Sequence, residues 1–484
     1  MKKKYGLFKV LTIILLLVVV ATYFIDGRGG NIQYLALGDV LLNYVQSFYY
    51  FFDTAIFILV VGGFYGFLNR VPAYKKLVKK IADKVSSKSI IFVIVSTIIF
   101  ALLSSLTGFN LLLLLFVPFV VSIILLLGYD KLVAISATIG GILVGVIGGV
   151  FFTLRDPNSY TGAYVTFDKF VGLESNWSNL FPRILLLVVT TGLLIFYIIS
   201  HVKKVNAGKV SYKLSKSDNL FIETKDRSGK VVSYDDKKVK TIPLIIVLVL
   251  LVIILVLGYF PWNSLFGIEC FDKFHTWLTG LKIGDYAVFT SLFSSSITAF
   301  GTWTNLGNYL AAIFVLVIMM FIIMPICRVK FEDAMDGFIL GVKKMIAPVM
   351  IAMLAFCVLV CSYNNGFMET VVTMASDKFG DNVLLHSLVT MLGTILNVDM
   401  YYISSGVFSG IVTNLTDSAN LSIYSVMFQS VYGLVQVVGP TSILLIVGLS
   451  YLEVPDKTWL KYIWRFIVQL IIVILLVLML VSLL

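Results

Sequence analysis

Charge is scarce in this chain. Asp, Glu, Lys and Arg make up 13% of its 484 residues, against about 25% in a soluble domain. With 59% hydrophobic residues and a mean hydropathy of +0.99, most of its surface must face something other than water, which excludes an ordinary soluble enzyme. Cysteine is also sparse. Cys270, Cys327, Cys357 and Cys361 form no CxxC pair, and three of them fall in apolar spans, so neither a disulfide nor a metal site is expected. The three histidines, His201, His275 and His386, have no ligand spacing, and His386 suits an interfacial or packing role at the start of a hairpin. No Walker loop, HExxH or nucleophile motif occurs. The sequence offers no enzyme chemistry, no metal and no bound cofactor beyond Na⁺ or H⁺ as a coupling ion.

What remains is a polytopic all-α membrane protein. The net charge of +11 sits in loops between apolar spans, a distribution that sets orientation and argues against a nucleic-acid partner. Leu7–Ile25 is long enough to cross ~30 Å of hydrocarbon and is kept as a first helix rather than a signal peptide. A loop over 26–53 and a span at Thr54–Leu68 follow. The connector 70–88 has seven basic residues and one acid, so it faces the cytoplasm, as does the N-terminus. The loop 154–181 precedes a span at Phe181–Ser200. Residues 202–240 carry eleven basic and five acidic residues and read as a cytoplasmic linker between halves 1–201 and 241–484. In the second half, Pro243–Phe260 spans. An aromatic external loop holds Trp262, Trp277 and Trp303, with residues near 285–300 along the interface. Leu310–Cys327 and Ala347–Ser362 are spans around a loop at Arg328–Lys344. The connector 364–381 is acidic by three to one and therefore external. A loop at Glu453–Arg465 leads to the last span, Phe466–Leu484.

Both halves contain apolar stretches broken by small and polar residues. Hairpin 90–127 is interrupted at Ser104-Ser105-Leu-Thr107-Gly108-Phe-Asn110, and helix 132–153 at Gly148-Gly149. Hairpin 383–413 is interrupted at Asn397-Val-Asp399-Met-Tyr-Tyr-Ile-Ser404-Ser405-Gly406, and helix 421–452 at Gly439-Pro440-Thr441-Ser442. An unpaired backbone group in hydrocarbon costs several kcal/mol, so such breaks survive where they line a cavity. The breaks match at an offset of roughly 290–294 residues. With connectors of opposite charge bias, this reads as two inverted-topology repeats bearing re-entrant hairpins and discontinuous helices.

The expected substrate-binding residues are Ser104, Ser105, Thr107, Gly108, Asn110, Asn397, Ser404, Ser405, Gly406, Gly439, Pro440, Thr441 and Ser442. The expected ion-coupling residues are Asp399, Gly148, Gly149 and Thr153. Half-helix N-termini suit a carboxylate, and freed carbonyls suit Na⁺ or an ammonium. The hydroxyls suit either, unless they bond back to a carbonyl one turn earlier. Pro440 removes a donor and kinks its helix. Asp399 is an acid in an apolar setting that calls for a cavity and a partner, or for a tip shallow enough to be solvated. Asn364, Asn365 and Gln429 are further neutral groups able to orient a ligand.

Pro118 with Leu125–Asp130, Phe300-Gly301-Thr302-Trp303, and the run from Gly439-Pro440-Thr441-Ser442 through Trp459-Leu460-Lys461 resemble the C4-dicarboxylate anaerobic carrier family (DcuC/YfcC-like) of the ion transporter superfamily. The resemblance covers most of the chain outside the linker. It implies a scaffold and a transport domain, an elevator motion and a homodimer. The chain departs from it in three places. Gly108 is followed by Phe109-Asn110-Leu111-Leu112 instead of paired glutamates. A polar turn is reduced to Gly148-Gly149-Val-Phe-Phe-Thr153. Asp399 stands where the family is apolar or has proline. The expectation is a secondary transporter in a bacterial inner membrane, embedded in its bilayer and carrying a small carboxylate-bearing solute by ion coupling or exchange. A dicarboxylate is the family's substrate; exchange of a basic amino acid such as arginine or ornithine is the alternative, and a channel or non-transporting module the reading from another class.

Overall fold

Within a bilayer a backbone satisfies its own hydrogen bonds only as helix or closed barrel, and this chain takes the helical solution. The computed structural model describes residues 6–25, 33–150, 177–209, 239–293, 298–303, 309–397, 399–413, 415 and 421–482. In the first half these form α1 (Gly6–Ile25), α2 (Leu37–Tyr50), α3 (Phe52–Leu68), α4 (Pro72–Val85), α5 (Ser89–Thr107), α6 (Val117–Leu126), α7 (Lys131–Ile135), α8 (Gly141–Ile147) and α9 (Trp177–Asn206). A π-helical turn at Ser136–Gly140 joins α7 to α8. Then come α10 (Ile242–Tyr259), three short helices α11 (Trp262–Phe266), α12 (Cys270–Gly280) and α13 (Val288–Phe293), and α14 (Leu310–Ile326). The rest comprises α15 (Phe331–Tyr363), α16 (Phe367–Phe379), α17 (Val383–Leu396), α18 (Met400–Ile403), α19 (Ser409–Thr413), α20 (Leu421–Val438), α21 (Ile443–Tyr451) and α22 (Asp456–Val481). Among the described residues the strand content is one two-residue ladder, Lys282–Ile283 against Tyr286–Ala287. Seven described helices are long and apolar enough to cross a membrane, and α2 with α3, bent by 64°, makes an eighth candidate. The protein is an all-α polytopic membrane protein with broken helices.

The same packing relations occur twice. α1 lies on α15 as α14 lies on α3, and α5 packs on α8 as α17 packs on α20. α9 packs on α8 as α22 packs on α20, and α4 covers α6 as α16 covers α19. The pairs that join the halves include α3 with α15, α2 with α15, α8 with α20, and α9 with α22. The α3–α15 pair is the central post, and glycine makes it possible. A Cβ added at Gly341 would overlap the Gly62 carbonyl, and one at Gly66 would overlap the Gly337 carbonyl. Two small-xxx-small stripes, Gly62/Gly66 and Gly337/Gly341, thus bring backbone onto backbone, as membrane helices do when they lack a hydrophobic driving force.

Several segments expected as loops carry helices, among them the aromatic external loop, which holds α11, α12 and α13. The 26–53 stretch contains α2, whose first turn is closed by the Ala36 N–H donating to Asp39 Oδ2 at 2.9 Å. Its polar residues face α15: Asn43 Nδ2 donates to Cys361 Sγ at 3.3 Å, and Ser47 Oγ to the Met353 carbonyl at 3.0 Å. Their polarity marks a helix contact rather than a loop. The Arg328–Lys344 stretch belongs mostly to α15, 33 residues in all and so ~50 Å long. Its first-turn acids Glu332 and Asp333 favour a helix N-terminus, and its charged turns project past the hydrocarbon. The Glu453–Arg465 stretch is helical from Asp456, directly after Pro455. Residues 151–176 and 210–238, with most of the expected loop 154–181 and of the linker, lie outside the described residues.

At one end of the first half, Asp130 caps α7. Its Oδ1 accepts the Val133 N–H at 2.9 Å, and its Oδ2 meets His201 Nε2 at 2.8 Å. The Tyr462 ring stands edge-on to His201, centroids 4.8 Å apart. Asp130→Ala removes both cap and pair, an expected loss of about 1–3 kcal/mol. The purified variant should melt measurably below wild type, and an unchanged Tm would contradict this role.

Candidate functional site

Each hairpin tip is fastened to the break in its own half. At the end of α5, Gly108 adopts a left-handed conformation (φ 67°), which glycine tolerates without Cβ strain. Ser105 Oγ donates to the Gly148 carbonyl at 2.6 Å, and the Val150 N–H bonds to the Ser105 carbonyl at 3.1 Å. Ser104 Oγ lies 2.7 Å from the Ile142 carbonyl and 2.6 Å from Asn110 Oδ1. Gly145 lets α5 and α8 close, since a Cβ there would stand 2.6 Å from the Ser104 Cβ. Thr107 bonds back to the Leu103 carbonyl at 2.6 Å.

The second half uses Thr441. Its Oγ1 donates to the Ile395 carbonyl at 2.9 Å, clamping the break after α20 to the end of α17. Asn397 is buried, and its Oδ1 accepts the Asp399 N–H at 3.0 Å. Asp399 is half-buried and caps α18 through the Tyr402 N–H at 3.3 Å. Ser404 bonds back to the Met400 carbonyl at 2.6 Å, opening a π-helical turn at Ser404–Phe408. Ser405 Oγ is 2.9 Å from Tyr363 Oη, and the Tyr363 ring leaves no room for a Cβ at Gly406. Gly439 and Pro440 form the break itself, ahead of α21. Thr153 lies outside the described residues.

Between these two fastened units, α8 and α20 cross closely. A Cβ at Gly433 would stand 2.7 Å from the Ile147 Cα, and Gln429 Nε2 donates to the Val146 carbonyl. Ser425, Gln429, Gly433 and Gln436 follow at spacings of four, four and three, which places them on one face of α20. On the neighbouring helix, Arg183 has no exposed surface and donates from its guanidinium to Ser425 Oγ. Arg183 is one turn from Leu187, whose backbone packs against Gly148. A buried guanidinium, a polar stripe and a broken helix therefore meet in one place.

The buried polar atoms along α20 and the break after it that have no hydrogen-bond partner among the described residues include Gln429 Oε1, Gln436 Nε2 and Ser442 Oγ. Native proteins leave few such atoms, and each marks a place where water, an ion or a ligand completes the bonding. Arg183 is the residue the sequence reading passed over. It sits in the span taken as Phe181–Ser200, and an arginine inside an apolar span is itself a functional flag.

Comparison with known proteins gives one family. A model described as C4-dicarboxylate anaerobic carrier matches residues 6–482. Among solved structures, one of the Alcanivorax borkumensis YdaH transporter, described as having an unusual topology, is similar at 10% identity and a TM-score of 0.40. That likeness covers 97% of this chain and 96% of the other. No curated protein matches the chain.

Proposed function

The chain belongs to the C4-dicarboxylate anaerobic carrier family, and we propose that it is a secondary active carrier of C4-dicarboxylates with its substrate site at the crossing of α8 and α20. The observation that carries this reading is Arg183, fully buried beside the break at Gly148. A guanidinium presents a planar fork that matches a carboxylate bidentately, and it is among the strongest neutralising partners available inside a protein. In this reading one substrate carboxylate lies on Arg183, oriented by Ser425 and Gln429. The second break, with Gln436, Ser442 and nearby Asp399, is assigned to the coupling cation, Na⁺ or H⁺. Exchange of a basic amino acid would place its ammonium on Asp399, but the buried cation at Arg183 favours a doubly anionic substrate.

The proposed motion is of elevator type. Hairpins and broken helices move together, because Ser105 and Thr441 fasten each tip to its break. The central post of α3 and α15 stays fixed. Their contact includes a cavity of about 20 Å³ walled by Ile58, Val61 and Met345 on the post, and by Ile135 and Val447 on the moving side. The wall of that cavity is apolar, and the bonds such a slide would exchange include those of Tyr65 Oη to the Leu115 carbonyl and of Tyr363 Oη to Ser405 Oγ. The halves are proposed as inverted repeats in a bacterial inner membrane, N-terminus inside, with the carrier working as a homodimer.

Cysteines at Met345 and Val447, which line that one cavity, test the motion in a background free of native cysteine. Bridging them with a short reducible cross-linker is expected to stop uptake, and reduction is expected to restore it. Full cross-linking with unaltered uptake would contradict the elevator reading.

A further inference from the structure

Each hairpin tip carries an aromatic ring that lies against the fixed part of the protein. In the first half Phe109, next to Gly108, is buried. Its ring stands edge-on to Tyr259 at the end of α10, centroids 5.6 Å apart. Tyr259 is itself held on two sides. Its Oη accepts the Ala312 N–H of α14 at 3.1 Å, and its ring meets the Trp303 ring edge-on at 5.7 Å. Trp303 lies over Gly258, where a Cβ would run into the indole, and the Gly301 N–H donates to the Gly258 carbonyl at 3.0 Å. In the second half Tyr402 of α18 stands edge-on to Tyr363 at the end of α15, centroids 5.0 Å apart. It also meets Phe51 at 6.4 Å. Phe51 sits at the bend between α2 and α3 and is stacked on Phe356 of α15 at 3.7 Å.

We infer that Phe109 and Tyr402 are positioning residues, each seating its hairpin tip in an aromatic socket from which the tip departs in every transport cycle. The inference rests on the elevator reading, in which the hairpins move past the post. Both sockets belong to the fixed side: α10 packs on α14 and α14 on α3, while Tyr363, Phe356 and Phe51 lie on or beside the post. A contact remade in each cycle has to fix an angle without holding hard. Edge-to-face rings do so, because their quadrupoles set the orientation while each pair shifts an equilibrium by only about 2- to 10-fold. The rings also sit where they aim polar groups. Phe109 precedes Asn110, which meets Ser104, and Tyr402 lies one helical turn before Ser405, which meets Tyr363. That both halves place a ring at the tip and a braced tyrosine opposite it argues against incidental packing.

The test places Phe109→Cys and Tyr259→Cys together in the full chain, free of native cysteine, and bridges them with a short reducible cross-linker. Bridging is expected to stop C4-dicarboxylate uptake into proteoliposomes, and reduction to restore it. The bridged protein is expected to keep its ligand-induced rise in Tm, with an apparent affinity within about threefold of the unbridged one. A purely structural contact would not separate uptake from binding in this way. Complete bridging with unaltered uptake would overturn the inference, and so would failure to bridge the folded protein. Loss of ligand binding on bridging would overturn it too, since the tip would then belong to the binding surface. Phe51→Cys with Tyr402→Cys puts the same question to the second socket and carries the test if the first pair does not fold. The Met345–Val447 bridge separates the sockets from the motion. Arrest there without arrest at 109–259 would refute the socket alone, whereas arrest at neither would refute the elevator reading and the socket with it.

Discussion

Arg183→Lys is expected to weaken C4-dicarboxylate binding roughly 10- to 100-fold while the protein stays folded, because a charged hydrogen bond is worth about 1.5–3 kcal/mol. Lysine keeps the positive charge but offers a point donor instead of a planar fork, so it cannot hold a carboxylate at two oxygens. Arg183→Ala removes the charge as well and is expected to abolish binding. Ligand-induced stabilisation reads both, since a solute that binds only the folded state raises Tm by mass action. The comparison separates recognition from packing. If Arg183 only held α9 to Ser425, the Lys variant would melt lower yet bind its ligand normally, and that outcome would remove Arg183 from the site.

Gly66→Ala and Gly341→Ala are each expected to cost about 3 kcal/mol or more, enough to deplete folded protein. Ordinary overpacking is relieved by turning side chains. Here the added methyl meets the carbonyl of the facing helix, and only separating α3 from α15 relieves it. The yield of monodisperse protein and its Tm check this. Gly192→Ala in α9 is the control, because a Cβ there meets nothing within 4 Å. It should be neutral or slightly stabilising, as alanine is the better helix former. Near-wild-type behaviour of Gly341→Ala would mean that the post packs differently.

The long apolar runs made the spans and the four breaks legible in the sequence, because hydropathy and helix-breaking residues are local properties. Helix ends within charged sequence were less legible. The acids at Glu332 and Asp333 resemble a loop, yet they suit the first turn of a helix that outruns the bilayer. Asn43 and Ser47 fall in the stretch expected as a loop, although their partners lie more than 300 residues away on α15. The serine and threonine hydroxyls at the breaks were visible, but not their use. Thr107 and Ser404 bond back within their own helices, whereas Ser105 and Thr441 fasten tip to break. The spacings Gly62/Gly66 and Gly337/Gly341 can be read directly, but that each stripe is the other's partner requires the fold. Arg183 was written in plain sight within a span; what sequence alone withheld was its neighbours.

Uptake of a radiolabelled C4-dicarboxylate by proteoliposomes holding the purified chain tests the central claim most directly, with other C4-dicarboxylates, arginine and ornithine as unlabelled competitors. The account predicts saturable uptake that other C4-dicarboxylates suppress, that the basic amino acids leave unaffected, and that Arg183→Ala abolishes. Uptake competed by arginine or ornithine but not by a second dicarboxylate would contradict it and move substrate recognition from Arg183 to Asp399.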